Sequence, residues 1–152
     1  MMDVIIRNAV PADALAVAAM EAACFSTPWS LAQIEDEIGK ENALFFVAES
    51  GGSVCGYVSA EDICGECYMN NLAVASACRR RGIAAALMRS LTDAAKSRGC
   101  EFLTLEVREG NVPARKLYET CGFSLVGVRK NFYDAPKENA CIYTLYYDKD
   151  EP

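Results

Sequence analysis

Proton transfer in this 152-residue chain has to be done without histidine, of which the sequence has none. That excludes Ser-His-Asp and Cys-His catalysis, a zinc hydrolase built on His and Glu, and any imidazole base. The groups left for acid–base work are Asp, Glu, Tyr, Lys and Cys. Glu106, between Leu105 and Val107, and Tyr118, shortly after Asn111, stand in ordered segments. Taken alone, Glu106 is equally well explained by a solvated strand face or a pair with Arg108, and Tyr118 by helix packing.

A second chemical feature is Arg79-Arg80-Arg81-Gly82-Ile83-Ala84, the one triple of basic residues in an acidic chain. It follows an apolar run ending at Val74 and opens a helical pattern. The first amides of a helix lack internal partners, and the helix dipole adds positive potential there. Arginines at that end oppose the dipole, so three together call for an anion. Gly82 has no Cβ to hold a ligand away from the backbone. A pyrophosphate suits such a turn. Neither the Walker pattern nor the dinucleotide G-x-G-x-x-G is present. The bland alternative is a solvated basic turn at a helix start.

The composition bounds the rest. Fifteen Lys and Arg stand against 21 Asp and Glu, a formal net charge of -6. That argues against nucleic acid as a partner, since phosphate neutralisation needs a broad basic surface. No stretch reaches the roughly 18 apolar residues of a membrane span. Asp3, Pro11 and Asp13 interrupt any export-signal pattern at the start, so the cytoplasm is the expected location. The eight cysteines then stay reduced, and several fall inside apolar segments as small hydrophobes. Cys64-Gly65-Glu66-Cys67 has C-x-x-C spacing but no second pair, so it is expected to be a turn between strands with no metal.

The elements that must position these groups follow from periodicity. Val4–Arg7 reads as a strand, and Pro11–Cys24 as a helix with its apolar stripe at Leu15, Ala18, Ala19 and Ala22. Ser30-x-x-Gln33 is a capping box for a second helix ending at Gly39, with Trp29 and Ile34 at staple spacing. Ala43–Glu49 and Ser53–Ala60 form a hairpin over Gly51-Gly52, and Glu66–Val74 is a further strand. Ile83, Leu87, Met88, Leu91, Ala94 and Ala95 share one face of a helix closed by Gly99. Phe102–Val107 is a strand, and Asn111 caps a short helix with Pro113 in its first turn. Phe123–Val128 and Cys141–Tyr147 are the last strands. The order β-α-α-β-β-β-α-β-α-β-β predicts one α/β domain over residues 1–152, with a single mixed, mostly antiparallel sheet flanked by helices.

With these motifs placed, the chain resembles the GNAT superfamily of N-acetyltransferases. Arg79-x-x-Gly82-x-Ala84 matches its R/Q-x-x-G-x-G/A turn, and the element order fits its fold. Within it the chain is similar to the RimI type, which acetylates the N-terminal alanine of a small-subunit ribosomal protein. The likeness runs from about Ile5 to Leu145. It rests on Phe25-x-x-Pro28-Trp29-Ser30, Asn71-Leu72-Ala73-Val74, Leu105-Glu106-Val107-Arg108-x-x-Asn111, Leu117-Tyr118-x-x-x-Gly122-Phe123 and Arg129-Lys130-Asn131-Phe132-Tyr133. Arg80 and Ala84 stand where glycine is common, and Gly110 where serine is frequent.

The resemblance implies acetyl-CoA as co-substrate and no metal. Leu72, Ala73 and Val74 would pair through their backbone with the pantetheine arm. The pyrophosphate would meet the amides of Arg80, Arg81, Gly82, Ile83, Ala84 and Ala85, and Asn111 would touch the cofactor arm. Glu106 takes the place of the general base and Tyr118 that of the acid toward the leaving thiolate. An α-amine with a pKa near 8 is about one-tenth neutral at pH 7, whereas a lysine is neutral in about one molecule in two thousand. A carboxylate base therefore suffices for a protein N-terminus. Acceptor selection falls to Phe25–Ser30, with Trp29, and to a loop over Arg129–Glu138, with Tyr133. Glu35-Asp36-Glu37 either draws in a cationic N-terminus or is a wet face. A ping-pong route through Cys78, a GNAT acting on lysine or a small amine, and a non-catalytic acyl-CoA sensor are the alternatives.

Overall fold

The structure, a computed structural model, describes residues 3–148, so the expected span of 1–152 runs past it at both ends. Seven strands form one sheet in the order β1-β2-β3-β4-β5-β7-β6. They are β1 Val4–Asn8, β2 Ala43–Ser50, β3 Ser53–Ile63, β4 Glu66–Val74, β5 Phe102–Arg108, β6 Ser124–Tyr133 and β7 Glu138–Tyr146. Every pairing is antiparallel except β4 with β5. The β3–β4 hairpin turns on Cys64 and Gly65 at φ of 54° and 87°, as the sequence pattern predicts. Cys64 is exposed there and Cys67 is buried beneath it; Cys55, Cys100 and Cys141 are buried too.

Four helices cover the sheet: α1 Ala14–Cys24, α2 Leu31–Ile38, α3 Ile83–Ser97 and α4 Val112–Thr120. On one face, Ile83, Leu87, Met88 and Leu91 of α3 and Tyr118 of α4 share a core with Val58, Leu103, Leu105 and Tyr143. Gly56 makes that fit possible. A Cβ there would stand 3.1 Å from the Ala73 carbonyl oxygen and 3.2 Å from side chains of Ile83 and Leu87. On the other face, Val17 and Met20 of α1 and Ile34 of α2 pack against Phe45, Val47, Tyr57 and Ala73. The capping box at Ser30 and Gln33 is formed as expected.

Two expectations are corrected. The buried stripe of α1 is Ala14, Val17, Met20 and Glu21, and Leu15 is 72% exposed. The stripe is turned because Glu21 takes a buried place and is satisfied there by hydrogen bonds, which an apolar pattern does not register. The loop expected from Arg129 onward is strand as far as Tyr133. It escapes the alternation pattern because β6 is an exposed edge whose register with β7 breaks at Leu125/Gly127 and again between Arg129 and Tyr133.

Candidate active site

The sheet is split where the phosphate-binding turn begins. β4 and β5 pair only over Glu66–Tyr68 and Phe102–Thr104, then part. Past that point β5 keeps β7 on its far edge, and β4 keeps β3, with Leu72, Ala73 and Val74 opposite Val58, Tyr57 and Gly56. The edge of Leu72–Val74 that faces the gap has no strand beside it. A strand edge without a neighbour presents main-chain donors and acceptors to any extended chain. A register break between Ser59 and Ala60 puts Asn70 in a bulge at the mouth of the gap.

That edge leads through a short 3-10 turn, Ser76–Cys78, to the amino end of α3. Arg80 and Gly82 both have left-handed backbone, with φ of 65° and 75°. No side chain caps α3, and nothing lies within 4 Å of where a Gly82 Cβ would stand. The amides of Ile83, Ala84 and Ala85 thus open outward at the positive end of a 15-residue helix. Two of the three arginines turn back to the protein: Arg79 donates to the Val74 carbonyl at 3.2 Å, and Arg81 to the Ser50 hydroxyl at 3.3 Å. Their charge stays beside the turn, and the backbone faces outward.

Glu106 and Tyr118 lie on opposite faces of the split. Leu105 and Val107 are buried on the α3–α4 side, so the alternation of β5 turns Glu106 to the α1–α2 side. Its side chain is 34% exposed and meets Arg129 of β6 at 3.5 Å, not Arg108. Tyr118 is 5% exposed, between Phe123 and Tyr143 at ring distances of 6.1 and 6.3 Å. Among the described residues its hydroxyl makes no hydrogen bond. Burial and the neighbouring Tyr133 push its phenol pKa up, which keeps it protonated.

Tyr133 lies near both groups. Its own phenol is pushed up by burial and then by the Glu106 carboxylate. Arg108, a motif residue to which the sequence assigns no role beyond a possible pair with Glu106, holds it: the guanidinium sits 4.4 Å above the Tyr133 ring. Arg108 also donates to the carbonyls of Asp134 and Pro136 and pairs with Glu138, fixing the β6–β7 turn against β5. Asn111 is the N-cap of α4, its Oδ1 accepting from Ala114 at 3.3 Å. That contact accounts for the residue structurally and leaves its amide NH2 group unbonded.

Glu21 was also missed. Buried on α1, it accepts from the Trp29 amide at 2.8 Å, from Asn71 Nδ2 at 2.8 Å and from the Tyr57 hydroxyl. It ties the α1–α2 connection, with the half-buried Trp29, to the strand that lines the gap. Burial raises its carboxyl pKa. Of the acidic run on α2, Glu35 and Asp36 are wet, and Glu37 is buried.

The sequence profile described as Acetyltransferase (GNAT) family matches residues 14–123. The ribosomal protein bS18-alanine N-acetyltransferase of Haemophilus ducreyi is 32% identical over 130 residues, 84% of this chain and 89% of that protein. The N-alpha-acetyltransferase RimI of Mycobacterium tuberculosis is 32% identical over 147 residues, 93% of this chain and 90% of that one. Among solved structures, the ribosomal-protein-S18-alanine N-acetyltransferase of Escherichia coli superposes with a TM-score of 0.89 at 27% identity, over 99% of both chains. A split mixed sheet with an open helix amino terminus at its mouth, found together with these relatives, places the chain in the GNAT acetyltransferase family, and it is an N-acetyltransferase.

Proposed function

We propose that the protein moves the acetyl group of acetyl-CoA to the α-amine at a protein N-terminus, with an N-terminal alanine of a small-subunit ribosomal protein as the acceptor. The observation that carries this reading is the unpaired edge of Leu72–Val74 running into the uncapped start of α3, with Glu106 across the gap. The free edge fits an amide-bearing pantetheine arm, and the outward amides of Arg80 to Ala85 fit a pyrophosphate. The named relatives supply the acceptor class.

On this reading the amine nitrogen bonds to the thioester carbon and the carbon–sulfur bond breaks. Glu106 takes the ammonium proton, directly or through a water, from the α1–α2 side. Tyr118 gives a hydrogen bond, and then its proton, to the departing thiolate from the α3–α4 side. Arg129 holds the Glu106 carboxylate in place. Trp29 and Tyr133 frame the acceptor, and no residue here is assigned to a metal. Among the described residues no helix is long and apolar enough to cross a membrane. The cytoplasm is the compartment where ribosomal acceptors and reduced thiols are both found.

A panel of peptides with acetyl-CoA and thiol-release detection tests this. Alanine-initiated peptides are expected to be acetylated, and peptides with a blocked α-amine and a free lysine are not. Glu106→Gln and Tyr118→Phe should each lower kcat by about 100-fold or more while acetyl-CoA still binds. Turnover on lysine alone, or full activity in both variants, would overturn the assignment.

A further inference from the structure

We propose that Cys55 and Cys78 form a modification site: hydrogen peroxide oxidises them to a disulfide that draws the phosphate turn inward and weakens acetyl-CoA binding. The effect on acetyl-CoA rests on the pyrophosphate reading of that turn; the disulfide itself does not. The main chain locks the two segments together. The Ala75 amide donates to the Cys55 carbonyl at 2.8 Å, and the Cys78 amide to the Ala75 carbonyl at 2.8 Å, so the 3-10 turn carries Cys78 back over Cys55. Both residues line one cavity of about 520 Å3. The two thiols hydrogen-bond to each other there, and burial first, then Cys78, pushes the Cys55 thiol pKa up.

The surroundings divide the roles. Cys78 is half-buried, and the cavity it opens on is walled by Arg81, with Arg79 and Arg80 next in the chain. A partly exposed thiol among cations is the reactive kind. Cys55 is 3% exposed, so it resolves and does not attack. The Cys78 thiolate attacks one peroxide oxygen: a sulfur–oxygen bond forms, the oxygen–oxygen bond breaks, and the hydroxide that leaves takes the Cys78 proton as water. The Cys55 sulfur then attacks the sulfenic acid on Cys78: the sulfur–sulfur bond forms, and the departing hydroxide takes the Cys55 proton as a second water. Two thiols give up two electrons and two protons, and one peroxide becomes two waters. The contact of Cys67 with Cys100 lacks such access. These residues are 0% and 2% exposed, and burial pushes the Cys67 thiol pKa up to about 12.

The fold carries the change to the turn. Passing from hydrogen-bond contact to a covalent bond draws the sulfurs together. β3 cannot follow, because beside Cys55 the Gly56 Cβ position already has the Ala73 carbonyl oxygen at 3.1 Å and side chains of Ile83 and Leu87 at 3.2 Å. The 3-10 turn moves instead, and it joins the free edge of Leu72–Val74 to the open amides of α3. In a reducing compartment such a disulfide is transient, since other thiols restore the pair.

Reduced protein is treated with hydrogen peroxide, unfolded in an alkylating agent and mapped by mass spectrometry. A Cys55–Cys78 crosslink is expected, with Cys67 and Cys100 alkylated. The KM for acetyl-CoA should rise by about ten-fold on oxidation and return with dithiothreitol. Cys78→Ser should keep the KM of the reduced wild type and ignore peroxide. Cys55→Ala should halt at a sulfenic acid on Cys78, trapped by dimedone. If Cys55→Ala fails to fold, Cys78→Ser, at the half-buried position, decides. No Cys55–Cys78 crosslink, or a crosslink that leaves KM unchanged, overturns the proposal while the acetyltransferase reading stands. Reduced wild type that fails to bind acetyl-CoA sinks the reading of the turn, and with it the effect on acetyl-CoA.

Discussion

Glu21 meets three donors and no acceptor, which makes its side chain hard to replace. The Trp29 amide, the Asn71 amide group and the Tyr57 hydroxyl all point at its two oxygens. Glutamine keeps the size but turns an NH2 group toward a donor, so Glu21→Gln is expected to cost about 1–3 kcal/mol, measured by urea unfolding. The pH dependence has a definite sign. Burial raises the folded carboxyl pKa above its ordinary 4.5, against the pull of Trp29 and Asn71. The stability linked to a raised pKa is fully present below the ordinary value and is lost as pH rises through the raised one. The deficit of Glu21→Gln should thus be largest in mild acid and shrink as pH climbs past 4.5; a deficit that grows with pH would refute this. The sequence offered a clue in a carboxylate spaced seven residues from Ala14 and four from Val17, but only the three donors from other elements explain its burial. Glu106 was easier to place, because the alternation of Leu103, Leu105 and Val107 fixes its face. Its partner Arg129 was not, because Arg129 comes from β6, two strands away across β7.

At the scale of elements, local signals fared well wherever one residue type dictates the backbone. The capping box starts α2, the glycines close the hairpins, and the spacing of Ile83, Leu87, Met88 and Leu91 sets the buried face of α3. The splay of β4 from β5 has no such signal: both strands read alike along their length, yet the pairing ends at Tyr68 and Thr104, two residues before the Asn70 bulge of β4. The turn that follows can be tested. Gly82 has φ of 75°, and open space surrounds its Cβ position, so alanine there meets no neighbour and only the backbone is strained. Gly82→Ala should therefore lower Tm modestly, by about 2–4 °C for ~1 kcal/mol of left-handed strain. Its larger effect should be a several-fold rise in KM for acetyl-CoA, because the added methyl group stands where the pyrophosphate is proposed to sit. A large loss of Tm with an unchanged KM would mean that the turn serves the fold and not the donor.

For the molecule as a whole, the proposed mechanism has two ligands meeting through the split sheet from opposite faces. Tyr118 lies on the α3–α4 side, where the donor arm is proposed to lie, and Glu106 on the α1–α2 side, where the acceptor is proposed to enter. On that proposal neither approach crosses the other, both substrates are bound together, and acetyl transfer has no protein-bound stage. Initial rates measured over a grid of acetyl-CoA and peptide concentrations should accordingly give intersecting double-reciprocal lines. Parallel lines, with an acetylated thiol found by mass spectrometry after acetyl-CoA alone, would favour the cysteine route instead. Cys78 is the thiol to examine, because it lies in the 3-10 turn beside the arginines and lines a cavity with Cys55 and Arg81. Direct transfer expects Cys78→Ser to retain most of its turnover while Glu106→Gln loses it. The reverse pattern would move the chemistry from the gap in the sheet to the turn, and the role of the split with it.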